Sequence, residues 1–455
     1  LDFFIVLFIF RIFTILCTII LKIQSVMRSI AIIIIIALVP TCYKSCKAPD
    51  QKGSGAYRIV KQDQGWVLLK EGNPFYVKGA VANDHMDKIK AFGGNSVRIW
   101  HHFRQGMDEA QKYGLSVMVS LPVRPERNGM NWEDTAMVER NIREVMSVVE
   151  EFKDHPALML WALGNELDWI PPGIPYNPVL WDWIELMAQE IKEIDPLHPV
   201  MTVIGDSDFD KKTGEIATQC PSLDLVGVNL YGDFSDKAEI LQRNWKKPYV
   251  VTEWGPHGHW QRPYTKWKAP LEESSTEKAA TYRHSYTQVI LKDTIYCLGS
   301  YVFLWGQKQE ITHTWYGMFS EDGLESESVN VMQELWSGKP PPNRAPRVKE
   351  LLINGKPRQA DLYLEGGKMY AANLRAEDAE DELTYHWEIR EEVNPAPYAG
   401  IGELPAEPIE GLIEETAGES IQFKAPDKEG AYRLFGYVYD GQGHWAYANF
   451  PFYCY

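Results

Sequence analysis

Cysteine is scarce, with six in 455 residues. Cys17, Cys42 and Cys46 fall early in the chain, which leaves Cys220, Cys297 and Cys454 for everything that follows. Three scattered thiols build neither a disulfide framework nor a CxxC metal pair. Basic charge is also short. Lys and Arg number 46 against 62 Asp and Glu, a net of −16. An acidic chain repels a phosphate backbone, which argues against nucleic acid as a partner. There is no internal repeat, and no GxGxxG follows an early strand, so the fingerprint of a dinucleotide-binding sheet is missing.

What is abundant is aromatic: 16 Trp and 23 Tyr. Such rings suit the flat apolar faces of sugars as well as cores. Long apolar runs are confined to the N-terminus, where residues 1–26 are interrupted by Arg11 and residues 30–39 follow Met27-Arg28-Ser29. A short basic start followed by about ten apolar residues has signal-peptide form, with Met27 as the start. The alternative is a membrane anchor, because 1–21 is nearly long enough to span. Leu38-Val39-Pro40-Thr41-Cys42 faintly resembles a lipoprotein signal, with Cys42 as the lipidated residue. Residues 1–56 are therefore read as an upstream apolar segment, signal peptide and tether. The expected location is periplasmic, cell-surface or extracellular, with a lipid or membrane anchor as an open variant.

Beyond the tether, short apolar runs alternate with helical patterns. The runs are 75–80, 96–100, 115–121, 157–163, 200–204, 225–230, 249–252 and 298–304. Between them Val138, Ile142, Val145, Val149 and Phe152 repeat at helical spacing, as do Leu180, Ile184, Met187, Ile191 and Ile194. Eight buried-type strands with helices between them predict a (β/α)8 barrel over 57–336. A proline-rich stretch, 337–347, predicts a linker. After it the period becomes two: Leu383, Tyr385, Trp387 and Ile389 alternate with polar residues. The expectation for 348–455 is an antiparallel β-sandwich of immunoglobulin-like type, an accessory domain.

Barrel chemistry sits at the C-terminal ends of strands. Gly164-Asn165-Glu166 follows the fourth run and Glu253-Trp254-Gly255 the seventh. A glutamate after a strand can simply cap a helix. Two in these positions also satisfy what glycoside hydrolysis needs: one carboxyl to protonate the leaving oxygen and one to attack carbon or activate water. At these residues the sequence resembles the retaining glycosidases of clan A, and in particular the catalytic barrel of glycoside hydrolase family 2. The resemblance rests on Asn165-Glu166 in LWALGNELDW and Glu253 in VVTEWG.

It implies Glu166 as acid/base, Glu253 as nucleophile, and Asn165 on the substrate's 2-hydroxyl. Arg98 in NSVR resembles the arginine that supports the nucleophile, and Tyr231 in VNLY the tyrosine that hydrogen-bonds it. Trp305 resembles the tryptophan flooring the reacting-sugar subsite, and Trp254 and Trp260 are candidate stacking platforms. No cofactor or metal is implied, although His257 and His259 form an HxH. The partner is an oligo- or polysaccharide. Two alternatives stay open: a transglycosylase of the same clan and a non-catalytic carbohydrate-binding barrel. The sequence departs from the family in two ways. Too few residues separate the expected tether from the first strand for the β-domains that usually precede the family's barrel, and no histidine ends the third strand.

Overall fold

The computed structural model describes residues 57–455, apart from 83, 171–175, 394–402 and 416. The N-terminal segment read as signal, anchor and tether lies outside the described residues. Among them, no helix is long and apolar enough to cross a membrane.

Eight parallel strands close into a barrel. They are β1 Val77–Ala82, β2 Ser96–Ile99, β3 Ser116–Leu121, β4 Leu158–Leu163, β5 Val200–Ile204, β6 Val226–Tyr231, β7 Tyr249–Gly255 and β8 Cys297–Trp305. Each is followed by a helix: α1 Met86–Ala91, α2 Phe103–Lys112, α3 Thr135–Phe152, α4 Val179–Ile194, α5 Phe209–Gln219, α6 Lys237–Asn244, α7 Ser275–His284 and α8 Glu327–Ser337. Strand follows strand around the ring, and β8 closes it between β7 and β1.

Local chemistry sets where these elements start and how closely they pack. Asp134 caps α3 by accepting from the Met137 amide at 3.0 Å. Ser274 and Glu277 form a reciprocal capping box at α7. The apolar stripes read from the sequence are the buried faces of α3 and α4. Gly79 is required by space: a Cβ there would lie 2.4 Å from the Tyr301 ring, which fills the barrel interior.

A small antiparallel sheet of residues 57–62, 65–70 and 73–74 precedes the barrel, and the apolar runs do not reveal it. Tyr57 bonds Ser116 at 2.5 Å and the Trp66 amide bonds the Ile295 carbonyl at 2.7 Å. Both partners lie at the N-terminal ends of strands, so this sheet closes the barrel mouth opposite the chemistry.

After α8 come two four-stranded sheets. Their strands are β9 Arg347–Ile353, β10 Lys356–Pro357, β11 Tyr363–Leu364, β12 Met369–Glu377, β13 Thr384–Glu391, β14 Ser420–Lys424, β15 Gly430–Tyr439 and β16 Trp445–Cys454. One sheet runs β10-β9-β12-β14 and the other β11-β16-β15-β13. All pairings are antiparallel except the short β11–β16 contact. Trp387, Leu374, Phe423, Leu434 and Phe450 form the shared core between them. Cys220, Cys297 and Cys454 are buried free thiols.

Candidate active site

The upper layer of the barrel interior is polar. Arg98 on β2, Ser120 on β3, Asn229 and Tyr231 on β6, and Thr252 and Glu253 on β7 point into one buried network. Arg98 has no exposed surface. Its guanidinium donates to Glu253 Oε1 at 2.9 Å, Asn165 Oδ1 at 2.6 Å, Ser120 Oγ at 3.0 Å and the Thr252 carbonyl at 3.1 Å. Tyr231 donates to the other Glu253 oxygen at 2.8 Å. Burial and the Glu253 charge push the Tyr231 phenol far up, so it stays a donor.

Glu166 stands across from this pair. Asn229 links the two sides: its Nδ2 donates to Glu166 Oε1 at 2.8 Å and to Asn165 Oδ1 at 3.0 Å. Its own oxygen accepts from Thr252 Oγ1 at 2.8 Å and Arg98 at 3.5 Å. Burial, and then the charge of Glu253, raise the Glu166 pKa to about 7. The cleft therefore holds one carboxyl that keeps a proton near neutral pH and a second whose oxygens are both hydrogen-bonded. That is the pairing needed for acid-assisted departure of an alcohol.

The Glu166 backbone is itself unusual. Its φ is +45°, a left-handed conformation costly for a residue with a Cβ, and Gly164, two residues earlier, has φ +70°. Arg127, from the loop after β3, clamps this turn. It donates to the carbonyls of Glu166, Asn165 (3.0 Å) and Trp169 (3.4 Å). Gly205, at the end of β5, leaves room: a Cβ there would sit 3.4 Å from the Glu166 carboxyl.

Thus the structure brings Glu166, Glu253, Asn165, Arg98 and Tyr231 together. It does not bring Trp254 and Trp305 to them. A register shift between Val251 and Glu253 lets both Thr252 and Glu253 face inward, and alternation resumed from Glu253 turns Trp254 outward, where it stacks on Tyr286 and meets Tyr282 edge-on. Trp305 packs against Phe92, Phe319 and Trp336 of the outer layer and donates to the His85 carbonyl at 3.1 Å. A register shift between Val302 and Trp305 against β1 breaks the alternation there. Both indoles are fully buried and present no face to a sugar.

The aromatic at the end of β8 that reaches the cleft is Phe303, edge-on to Tyr231 with centroids 5.9 Å apart. Trp260 is half exposed and also meets Tyr231 edge-on. His257 and His259 turn to different carboxylates, Glu273 and Glu310, and do not converge. Among the described residues, one carboxylate trio, Asp378, Asp381 and Asp440, is close enough to share a cation; it lies on the C-terminal sheets.

Three contributors escape the sequence reading. Asn229 was within reach, since alternation places it on the same face as Tyr231. Phe303 follows Tyr301 by the same rule. Arg127 sits in a loop with no periodicity, and nothing local marks it.

The profile of glycosyl hydrolases family 2, TIM barrel domain, matches residues 78–335. The chain belongs to this family. Curated relatives of the family 2 barrel include rat (Rattus norvegicus) β-glucuronidase, 26% identical over an alignment of 227 residues that covers 41% of this chain and 32% of that protein. Mannan endo-1,4-β-mannosidase 8 of rice (Oryza sativa subsp. japonica) is 31% identical over 121 residues, 22% of this chain and 31% of that protein. The chain thus spans about a third of the length of these relatives. Among solved structures, a Bacteroides uniformis β-glucuronidase 2 variant aligns with TM-score 0.48 and 16% identity, over 88% of this chain and 48% of that one.

Proposed function

We propose that this family 2 chain is a retaining β-glycoside hydrolase acting on an oligo- or polysaccharide. The observation that carries the reading is the buried Arg98–Glu253–Tyr231 group joined through Asn229 to a Glu166 that keeps its proton near neutral pH. In the first step Glu166 protonates the glycosidic oxygen while Glu253 attacks the anomeric carbon, and the alcohol departs. Esterification cancels the Glu253 charge that helps raise the Glu166 pKa. Glu166, now a stronger acid and so ionised, serves as base for the water that releases the sugar. Two inversions give net retention.

Asn165 spends its oxygen on Arg98 and Asn229. Its amide nitrogen remains to donate to a sugar hydroxyl, which fits the 2-hydroxyl role. Phe303 replaces Trp305 as the aromatic beside the reacting sugar.

The remaining readings belong to the same proposal. Residues 57–336 form the catalytic domain, 337–347 the linker and 348–455 an immunoglobulin-like accessory domain. The chain is exported under the direction of its N-terminal segment. The names of the relatives point to aryl β-glucuronides, aryl β-mannosides and β-mannan as first substrates. Proton NMR of the first-formed anomer on an active aryl glycoside should show retained β-configuration. An inverted product would overturn the mechanism, and silence across a broad panel of β-glycosides the function.

A further inference from the structure

The profile match ends at residue 335, and nothing in it gives the C-terminal sheets a role. They touch the barrel along α7, along the loop that precedes it and along the loop between β8 and α8. Glu272, fully buried between β7 and α7, is the hub. It accepts from Lys278 at 2.5 Å, from Thr312 at 2.6 Å and Thr314 at 2.8 Å of the β8 loop, and from Asn449 of β16 at 2.5 Å. Arg433 of β15 holds Asn449 at 2.6 Å and the Pro270 carbonyl at 2.9 Å.

Two further bonds reach the same loop from the C-terminal sheets. The Ile311 amide donates to Glu403 at 2.9 Å, at a residue whose φ is +63°. His313 Nε2 bonds the Tyr437 hydroxyl at 2.8 Å, and that hydroxyl donates onward to Glu388. The loop then enters the cleft wall. Trp315 donates to the His257 carbonyl at 3.0 Å, and the Tyr316 ring packs against Phe303 at 5.6 Å and Tyr231 at 5.5 Å. Tyr231 is the residue that hydrogen-bonds Glu253.

We propose that the C-terminal sheets are part of the catalytic apparatus: through Glu403, Tyr437 and Asn449 they fix the β8 loop, and with it the Tyr316–Tyr231 wall that orients Glu253. These are positioning residues. The inference rests on the glycosidase reading above. It gives the accessory domain proposed above a part in positioning, because the module reaches the loop through oriented hydrogen bonds and a shared buried carboxylate.

The test compares full-length variants on an activated aryl glycoside. Glu403 is half-buried, so Glu403→Ala should fold; it frees the Ile311 amide. Tyr437→Phe removes one hydroxyl and keeps the ring. Misplacing a reacting group by about 1 Å costs up to about a hundredfold. The expected result is a fall in kcat of about ten- to a hundredfold with KM little changed, since the nucleophile's support moves and the sugar contacts do not. Glu403→Gln keeps an acceptor for Ile311 and should restore kcat. Trp387→Phe is the control: it removes a bond of 2.8 Å to the Gly418 carbonyl inside the module and should lower the unfolding midpoint without altering kcat.

Wild-type kcat in folded Glu403→Ala and Tyr437→Phe would overturn the inference. So would a kcat loss in Trp387→Phe that matches theirs, because the effect would then be one of stability. Absence of activity in the wild type would defeat the glycosidase reading itself, and is told apart by needing no variant.

Discussion

Glutamine at position 166 probes the electrostatics of the cleft through stability, independently of any substrate. The folded chain raises the Glu166 pKa to about 7, by burial first and by the Glu253 charge second. In an unfolded chain the group titrates near about 4.3. A folded-state value above the unfolded one means that the folded chain binds the extra proton between those two pH values. Stability from this group is therefore fully present at acid pH, falls as pH climbs through the window, and levels off above about 7. The full gap corresponds to about 3–4 kcal/mol, and partial contact of the carboxyl with water reduces the expected effect to about 2 kcal/mol. Gln is neutral throughout and its Oε1 still accepts from Asn229. In urea titrations, the stability of Glu166→Gln relative to the wild type should rise by about 2 kcal/mol between pH 4.5 and pH 8, almost all of it below pH 7. A difference independent of pH, or one that grows toward acid, would refute the claim that this cleft penalises the Glu166 charge.

The two glutamates should also separate kinetically. With an activated aryl glycoside, azide should rescue Glu166→Ala with retained configuration, while Glu253→Ala should give at most an inverted azide product; the reverse pattern would exchange their roles. Arg98→Ala strips the partner from a buried ion pair and should cost about 3–5 kcal/mol of stability by urea titration, along with activity. Arg127→Ala removes a cation that lowers the Glu166 pKa, so the alkaline limb of kcat/KM should move upward, and an unmoved limb would reject the clamp's electrostatic role. Trp305→Ala should cost about 3–5 kcal/mol of stability while KM in the surviving folded protein stays near wild type; a large KM rise would return the indole to the sugar subsite.

The amino-acid order alone determined the architecture of the barrel. Alternating strand-like runs and helical stripes are local signals. The strands here are buried on both faces, so they read as largely apolar runs wherever they sit in the ring. The same logic placed Glu166 and Glu253 at strand ends, because a charged residue closing an apolar run has nowhere to go but the mouth. Arg98 in NSVR and Tyr231 in VNLY were legible through their resemblance to the family's motifs.

Tertiary structure decided the rest. Whether an indole faces sugar or helix depends on strand register, and a shift near the end of β8 sent Trp305 outward and left Phe303 inside. Arg127 lies 39 residues before Glu166, and only the packing of one loop on another makes it the clamp of that turn. Glu272 and Asn449 are 177 residues apart. Their bond, and with it the attachment of the C-terminal sheets to the active-site loop, has no local signature, because a hydrogen bond between distant segments imposes no periodicity on either.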